Sequence, residues 1–433
     1  MSYIGNPIVS TDFPVNYFSG NGSTTAFTLS IAPASVNAID VQVSGVSQSP
    51  QTYSVSGTTL TFSAAPPTGS SNIVVRHLGV AGIPNTPSAA SVSYNSLDSS
   101  LQNRFDNTNK IINGCMRIDQ RNSGAEINPA VNGSYYLDRW RAISSQSGKY
   151  KIGQNAGSVT PPAGFTKYLG ITSLSAYTSL VSGDIFSIRQ YIEGFNTADL
   201  NWGTANAKTV TLSFQVYSSL TGTFGGVLRN SAQNRTYPFS YTVSSANTWT
   251  PISIIIAGDT SGTWLTDNGI GVEIQFAFGA ASDVSGTAGI WSSTNYQSAT
   301  GATSVVSTSG ATFYITGVDL RKGSYSTAPT FDMRQYGTEL NLCQRYYETG
   351  SNSSCGVYFG VAGVAIYTMT CYKATKRAVP SIATTTCNSQ NAGSGVVTAR
   401  TFGTLANGVD GFSPSLATTD VVCYVVYQAS AEL

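Results

Sequence analysis

Hydrophobic and polar residues alternate with a period of two over most of the chain. In the first eighty residues Phe27, Leu29 and Ile31 alternate with polar neighbours. Ile39, Val41 and Val43 do the same around Asp40 and Gln42. This period turns one face of a strand to a core and the other to solvent. The stretch 55–62 predicts a hairpin turning near Ser56 and Gly57, and Pro66-Pro67-Thr68-Gly69 a further turn. Ile73, Val74 and Val75 close a small β domain over residues 1–80.

The period then changes. Pro84 and Pro87 exclude a helix from the linker 80–94. Beyond it, Leu97, Leu101, Phe105, Thr108 and Ile112 recur at spacings of four, four, three and four, which is one stripe of a helix. Asn95 or Ser96 would cap it and Asn113-Gly114 would end it. So narrow a stripe needs a partner, and three copies around an axis would cover it. Residues 81–112 are therefore expected to form a linker and a short trimeric coiled coil.

From Cys115 the pattern returns to β. Val210, Leu212, Phe214 and Val216 alternate with polar residues, as do Val272, Ile274, Phe276 and Phe278. The run 252–256 is nearly continuous and predicts a strand buried on both faces. Phe313 and Ile315 alternate until Gly317 shifts the phase to Val318 and Leu320, which predicts a bulge. A short helix is expected over 338–347, then a second β region ending in the apolar strand 421–427. The fold class is all-β, with a jelly-roll-like sandwich over 113–338 and a distal β domain over 339–433.

Composition narrows the function. Lys and Arg number 22 against 21 Asp and Glu, a net charge of +1, so no basic field is available to hold nucleic acid. Charged residues are only 10% of the chain, which suits an exposed, virion-type protein better than a helical enzyme. His77 is the only histidine, which removes histidine-rich metal sites and most histidine triads. No two of Cys115, Cys343, Cys355, Cys371, Cys387 and Cys423 are spaced as Cys-x-x-Cys, and they read as free thiols. There is no phosphate-binding glycine motif, and neither cofactor nor metal is expected. The N-terminus lacks the pattern of a signal peptide, and no apolar run is long enough to span a bilayer, so membrane insertion is not expected. Assembly in a cytoplasm and release by lysis fit these features.

Several stretches resemble one family. Ile112-Asn-Gly-Cys-Met-Arg-Ile-Asp-Gln-Arg-Asn122 and Tyr136-Leu-Asp-Arg-Trp-Arg141 resemble the opening of a carbohydrate-binding-like β-sandwich in tailed-phage fibre proteins. Asp319-Leu-Arg-Lys-Gly-Ser324, Ala328-Pro-Thr-Phe331 and 336–347 resemble its close, and 373–380 with 429–433 resemble the family's C-terminal portion. The segment 18–29 resembles a tail-fibre N-terminal module. Thr375-Lys376 departs from the family's usual Met-Arg. The resemblance implies a virion tail fibre, homotrimeric, docked through residues 1–80 to the tail or an adaptor or nozzle protein. It would attach the particle to a host-surface polysaccharide without catalysis. A capsid-attached fibre or decoration protein, and a tailspike glycosidase, are the alternatives.

Glycan recognition calls for exposed aromatic faces beside polar groups that fix hydroxyls. Trp264 with Asp267 and Asn268, and Trp291 with Asn295 and Tyr296, are the candidates in the sandwich. Tyr358, Tyr367 and Tyr372 are those of the distal region. The charged group Asp119, Arg121, Asp138, Arg139 and Arg141 reads as Asp–Arg pairs pinning the start of the sandwich to its later strands, with a ligand-binding role as the alternative. Gln344, Arg345, Tyr346 and Tyr347 read as packing between domains. The acidic residues Asp184, Glu193, Asp199, Asp259, Asp267, Glu273 and Asp283 are too dispersed to nominate a hydrolytic pair.

Overall fold

A computed structural model describes residues 14–78, 109–325, 327–354, 368–390, 404–405, 408–412 and 422–433. The chain forms two compact units, Met1–Asp98 and Ser99–Leu433. In the first, β1 (Val15–Gly20), β3 (Ile39–Val43), β4 (Val46–Ser47) and β7 (Gly69–His77) form one sheet, ordered β1-β7-β3-β4. A second sheet joins β2 (Ala26–Thr28), β5 (Tyr53–Ser56) and β6 (Thr59–Phe62) in the order β2-β6-β5. The expected alternation supplies the core: Leu29, Ile39, Val41, Leu60, Ile73 and Val75 are buried together. The predicted hairpin is the β5–β6 pair, with Ser56 opposite Thr59. The strand expected through Ile31 stops at Thr28, and Ile31 is exposed.

The second unit is built on a two-sheet antiparallel sandwich. Its strands are β8 (Tyr135–Leu137), β9 (Trp140–Ser144), β10 (Tyr150–Gln154), β11 (Leu169–Ser173), β12 (Ile185–Glu193) and β13 (Val210–Ser218). They continue through β14 (Gly222–Arg229), β15 (Thr236–Val243), β16 (Thr250–Ile256), β17 (Ile270–Ala280) and β20 (Thr312–Lys322), while β18 (Ser285–Gly286) and β19 (Ser298–Ala299) form a separate parallel pair. One sheet has the order β10-β11-β20-β13-β16, the other β15-β14-β17-β12-β9-β8. Aromatic rings join them: Phe214 of β13 meets Phe276 of β17 at 4.9 Å, and Phe313 of β20 meets Phe278 of β17 at 6.2 Å. Each such side chain contributes roughly 1.5–3 kcal/mol on burial. The bulge predicted at Gly317 is present: Ser213 faces Asp319 but Gln215 faces Thr316, so β20 carries one extra residue.

Helix α1 (Tyr336–Gln344) leads into β21 (Tyr347–Ser354). The remaining strands are β22 (Thr368–Cys371), β23 (Ser381–Gln390), β24 (Thr404–Leu405), β25 (Gly408–Phe412) and β26 (Val422–Ser430). The expected apolar strand is β26, the centre of a three-stranded sheet ordered β21-β26-β23. Polar contacts cross the boundary expected at 338/339. Arg345 pairs with Glu193 at the end of β12, and Arg377 donates to the backbone oxygens of Asn268 and Glu432.

Two expectations are corrected. Residues 252–256 are not buried on both faces. β16 is an edge strand in which Ile252, Ile254 and Ile256 point inward while Ser253 and Ile255 face out. Pro251 fits there because an edge strand has no second ladder to supply. Ile112 is not helical and is buried within its own unit. Its N–H donates to Gln190 at 2.9 Å, and it packs with Ile118, Cys343 and Tyr346 inside its own unit. Its neighbour Ile111 enters the sandwich core, whereas Ile112 joins this smaller cluster beside it. Leu97, Leu101, Phe105 and Thr108 lie outside the described residues.

Candidate functional site

The alternation that buries one side of β13 turns Thr211, Ser213, Gln215 and Tyr217 to the sheet's other face. Register sets Tyr217 opposite Tyr314 of β20, and Gln215 between Thr316 of β20 and Pro251 of β16. Trp249, directly before β16, extends this row. Its ring lies 5.5 Å from Tyr217, which stacks on Tyr314 at 5.3 Å with 10° between planes. Tyr168 closes the group, 5.0 Å from Tyr314 and 5.6 Å from Trp249. Tyr168 and Tyr314 are buried, whereas Tyr217 and Trp249 are half-buried. The two buried rings back the two that reach solvent.

The loop before β11 covers one side of this face. Gly170 admits it, because a Cβ there would stand 2.6 Å from the Ala156 carbonyl oxygen. The Tyr168 hydroxyl donates to that oxygen at 3.0 Å and accepts from the Val159 N–H at 3.0 Å. The loop's far end meets the platform directly, since Trp249 Nε1 donates to the Thr160 carbonyl at 2.8 Å.

The segment after β20 covers the opposite side. Arg321 pairs with Asp319 at 2.6 Å and donates to the Thr330 carbonyl at 2.9 Å. Burial pushes the Asp319 carboxyl up, against the pull of Arg321. Phe331 of this segment meets Phe165 of the opposite loop edge-on at 5.2 Å. Phe165 in turn lies over Gly317, whose φ is +64° and whose Cβ position would be 2.6 Å from the ring. Only glycine takes both the left-handed conformation and the contact.

Between the two covering segments lies a groove of about 380 Å³. Phe165, Phe331 and Met333 wall it; Ser213, Gln215 and Pro251 form its floor. None of its described lining residues is charged. Ring faces suit the C–H faces of a sugar, and an amide and hydroxyls beside them suit its hydroxyl groups.

The candidates read from the sequence have other surroundings. Trp264 and Trp291 join Trp202 in a mutual edge-to-face cluster with centroid distances of 4.7, 5.3 and 5.5 Å. Each indole N–H is taken by a backbone carbonyl, that of Ser261, Ala257 or Lys208. Trp264 is buried, and Trp291 is half-buried. Asp267 accepts from the Gly269 N–H, and Asn268 is bonded to the Arg377 backbone. Asn295 accepts from Arg229 and Gln297 and donates to Gln233, and the Tyr296 ring fills the space over Gly286. Tyr372 is buried, its hydroxyl pushed up to about 12 by burial and by Glu348. Tyr358 and Tyr367 lie outside the described residues. Tyr217, Trp249 and Gln215 were missed as candidates. Their outward phase was readable, but the register that aligns them was not.

The acidic residues are engaged in structure. Asp259 forms two hydrogen bonds with Arg235, Glu273 pairs with Arg229 and Arg189, and Asp199 with Lys110 and Lys322. Asp184 accepts from Ser145 and Tyr177, and Asp283 from Ser182. The arginines that open the sandwich pin it to later parts of the chain as expected, but through a glutamate and a β12 carbonyl where aspartates were expected. Arg121 and Arg139 both bind Glu432, while Asp138 accepts from Gln120. A second hollow, about 540 Å³, holds Lys110, Asp199 and Arg334, and each of these charges is paired.

No protein-family model matches the chain, and no curated protein does. Among solved structures it is similar to the enzymatically active domain of bacteriophage CBA120 tailspike protein 4, at 13% identity and a TM-score of 0.26. That match covers 46% of this chain and 22% of the tailspike domain. It is also similar to a family 11 carbohydrate-binding module from Clostridium thermocellum in complex with a β-1,3-1,4-mixed-linked tetrasaccharide. Identity there is 13%, coverage 46% and 94%, and the TM-score 0.23. The tandem CBM22 domains of Paenibacillus barcinonensis Xyn10C align at 14% identity over 71% of this chain and 78% of theirs, with a TM-score of 0.27. At such scores the likenesses carry no functional weight, and the site stands on its own geometry.

Proposed function

We propose that this chain is a non-enzymatic fibre protein of a phage tail that holds the virion to a host-surface polysaccharide. The observation that carries the glycan reading is the uncharged groove on the five-stranded sheet, with Tyr217 and Trp249 as its neighbouring platform. The engagement of the acidic residues in ion pairs and turns supports binding rather than hydrolysis. The separate compact unit Met1–Asp98 supports a docking role for the N-terminal β domain, to a tail, adaptor or nozzle protein. Trimerisation rests on the sequence stripe Leu97, Leu101, Phe105 and Thr108, now without Ile112. A capsid-attached fibre would use the same binding face.

The test is binding of the purified chain to host cells and to extracted surface polysaccharide. Trp249→Ala and Tyr217→Ala should each lower affinity at least about tenfold, the size expected for a lost stacking ring. Unchanged binding by both variants defeats the site. Release of reducing ends from the polysaccharide by the wild-type chain defeats the binding-only reading and favours a tailspike glycosidase.

A further inference from the structure

Two charged side chains that the groove does not use are wholly removed from solvent. Lys376 and Glu348 are each 0% exposed, with Nζ 2.7 Å from Oε2. Glu348 belongs to β21 and Lys376 to the segment entering β23. The other carboxylate oxygen, Oε1, accepts from the Tyr427 hydroxyl of β26 at 2.9 Å. The Lys373 N–H donates to Oε2 at 3.0 Å, fixing the carboxyl plane. Nζ also donates to the Gln344 carbonyl. The Tyr372 ring stands 5.0 Å from Nζ, and its buried hydroxyl has no hydrogen-bond partner among the described residues.

Taking two ions out of water is costly, and their mutual attraction seldom returns more than that cost. The dry site therefore narrows the gap between the ion pair and its neutral form, an amine beside a carboxylic acid. Burial acts on Lys376 in this direction, lowering its proton affinity against the opposing pull of Glu348. A neutral lysine amine is a nucleophile. Held against a single carbonyl carbon it gains an effective molarity of roughly 10⁵–10⁸ M.

We propose that Lys376 and Glu348 condense into an intramolecular amide, joining Nζ to Cδ with loss of one water. One Nζ proton first passes to Oε2, leaving an amine and a carboxylic acid. The Nζ lone pair attacks Cδ, and the charge that develops on Oε1 is held by the Tyr427 hydroxyl. A second Nζ proton passes to Oε2, the Cδ–Oε2 bond breaks, and Oε2 departs as water while Oε1 regains its double bond. Nothing is oxidised or reduced, and no co-reactant is needed. The product is a covalent staple across 28 residues of sequence, between the first strand after α1 and the approach to β23.

The experiment is the intact mass of the full chain, followed until constant at neutral pH, together with a tryptic map. The expected mass is lower than that of the sequence by one water. Trypsin should fail to cut after residue 376, and the peptide 374–377 should appear joined to 346–373. Lys376→Arg, which keeps the charge but cannot follow this route, should restore the full mass. A wild-type chain at the mass of its sequence, cut after residue 376, overturns the proposal. Loss of water that persists in the Lys376→Arg chain overturns the assignment to this lysine.

Discussion

Glu193 and Arg345 stand 152 residues apart and share two hydrogen bonds, of 2.6 and 2.8 Å. Glu193 ends β12 at 1% exposure, and Arg345 follows α1. The Tyr346 hydroxyl adds a third donor to the same carboxylate at 2.7 Å. The pair ties the end of β12 to the segment that directly follows α1. Replacing Arg345 with alanine leaves a buried carboxylate without its cation, which costs about 3–5 kcal/mol for buried pairs. Arg345 is 30% exposed, so the lower end is expected. Equilibrium urea unfolding measures it, and a loss under about 1 kcal/mol contradicts a structural role for this pair.

Stability should peak in mildly acidic solution. Burial pushes the carboxyls of Glu193 and Asp184 up, but their hydrogen bonds outweigh it and hold both below the ordinary range. The stability they give is present above the unfolded pKa, near 4, and is lost as pH falls through the folded values. Asp138 runs the other way: burial raises it to about 6, against hydrogen bonds from Gln120. Between about pH 4 and 6 the folded state holds the Asp138 proton more tightly than the unfolded chain, so stability falls as pH rises through that window. Asp138→Asn should flatten this slope and leave the acid limb unchanged, as read from unfolding midpoints across pH.

Gly317→Ala should damage the groove as well as the strand. A left-handed backbone at a non-glycine residue costs roughly 1–2 kcal/mol, and the new methyl collides with Phe165. Shifting Phe165 also moves its contact with Phe331. The variant should bind polysaccharide more weakly than its stability loss explains. Adding Phe165→Leu should recover part of the stability and none of the binding.

The tryptophans should separate into two classes. Trp264→Ala opens a cavity in the three-indole cluster and should cost about 3–5 kcal/mol with polysaccharide affinity retained. Trp249→Ala removes a half-buried ring, costs about 1 kcal/mol, and abolishes most of the binding. Thermal unfolding and binding measured on the same preparations distinguish them. The reverse assignment would move the site to the cluster.

Because no charged side chain lines the described groove, affinity for an uncharged polysaccharide should change less than about twofold between ~0.05 and ~0.5 M salt. A steep decline would point to the paired charges around Lys110 and Asp199 instead.

Much of the strand content was legible in the chain. Val210 to Val216, Val272 to Phe278 and the bulge at Gly317 follow from a period of two and one break in it. The limits have physical causes. A continuous apolar run such as 252–256 has the same pattern at a sheet's edge as at its centre, because burial depends on which strands flank it. Ile112 matched a helical stripe but packs in a small cluster with Ile118, Cys343 and Tyr346 instead. The platform formed by Trp249, Tyr217 and Tyr314 depends on the register among three strand segments from distant parts of the sequence, and no local pattern encodes it. The pairing of Glu432 with Arg121 and Arg139 has no local signature, because 311 and 293 residues separate them from it.

The groove divides its construction between two kinds of chain. Its floor is β13 and the strand edge beside it, fixed by ladder register. Its walls are the two covering segments, around Phe165 and Phe331. Lengthening a surface loop costs little free energy, and loops vary where strands cannot. The width and depth of recognition are therefore adjustable by insertion or deletion in either wall without renegotiating the sandwich beneath. Under the attachment role proposed above, this division would let the recognition face follow a changing host coat while the fold beneath it stays fixed.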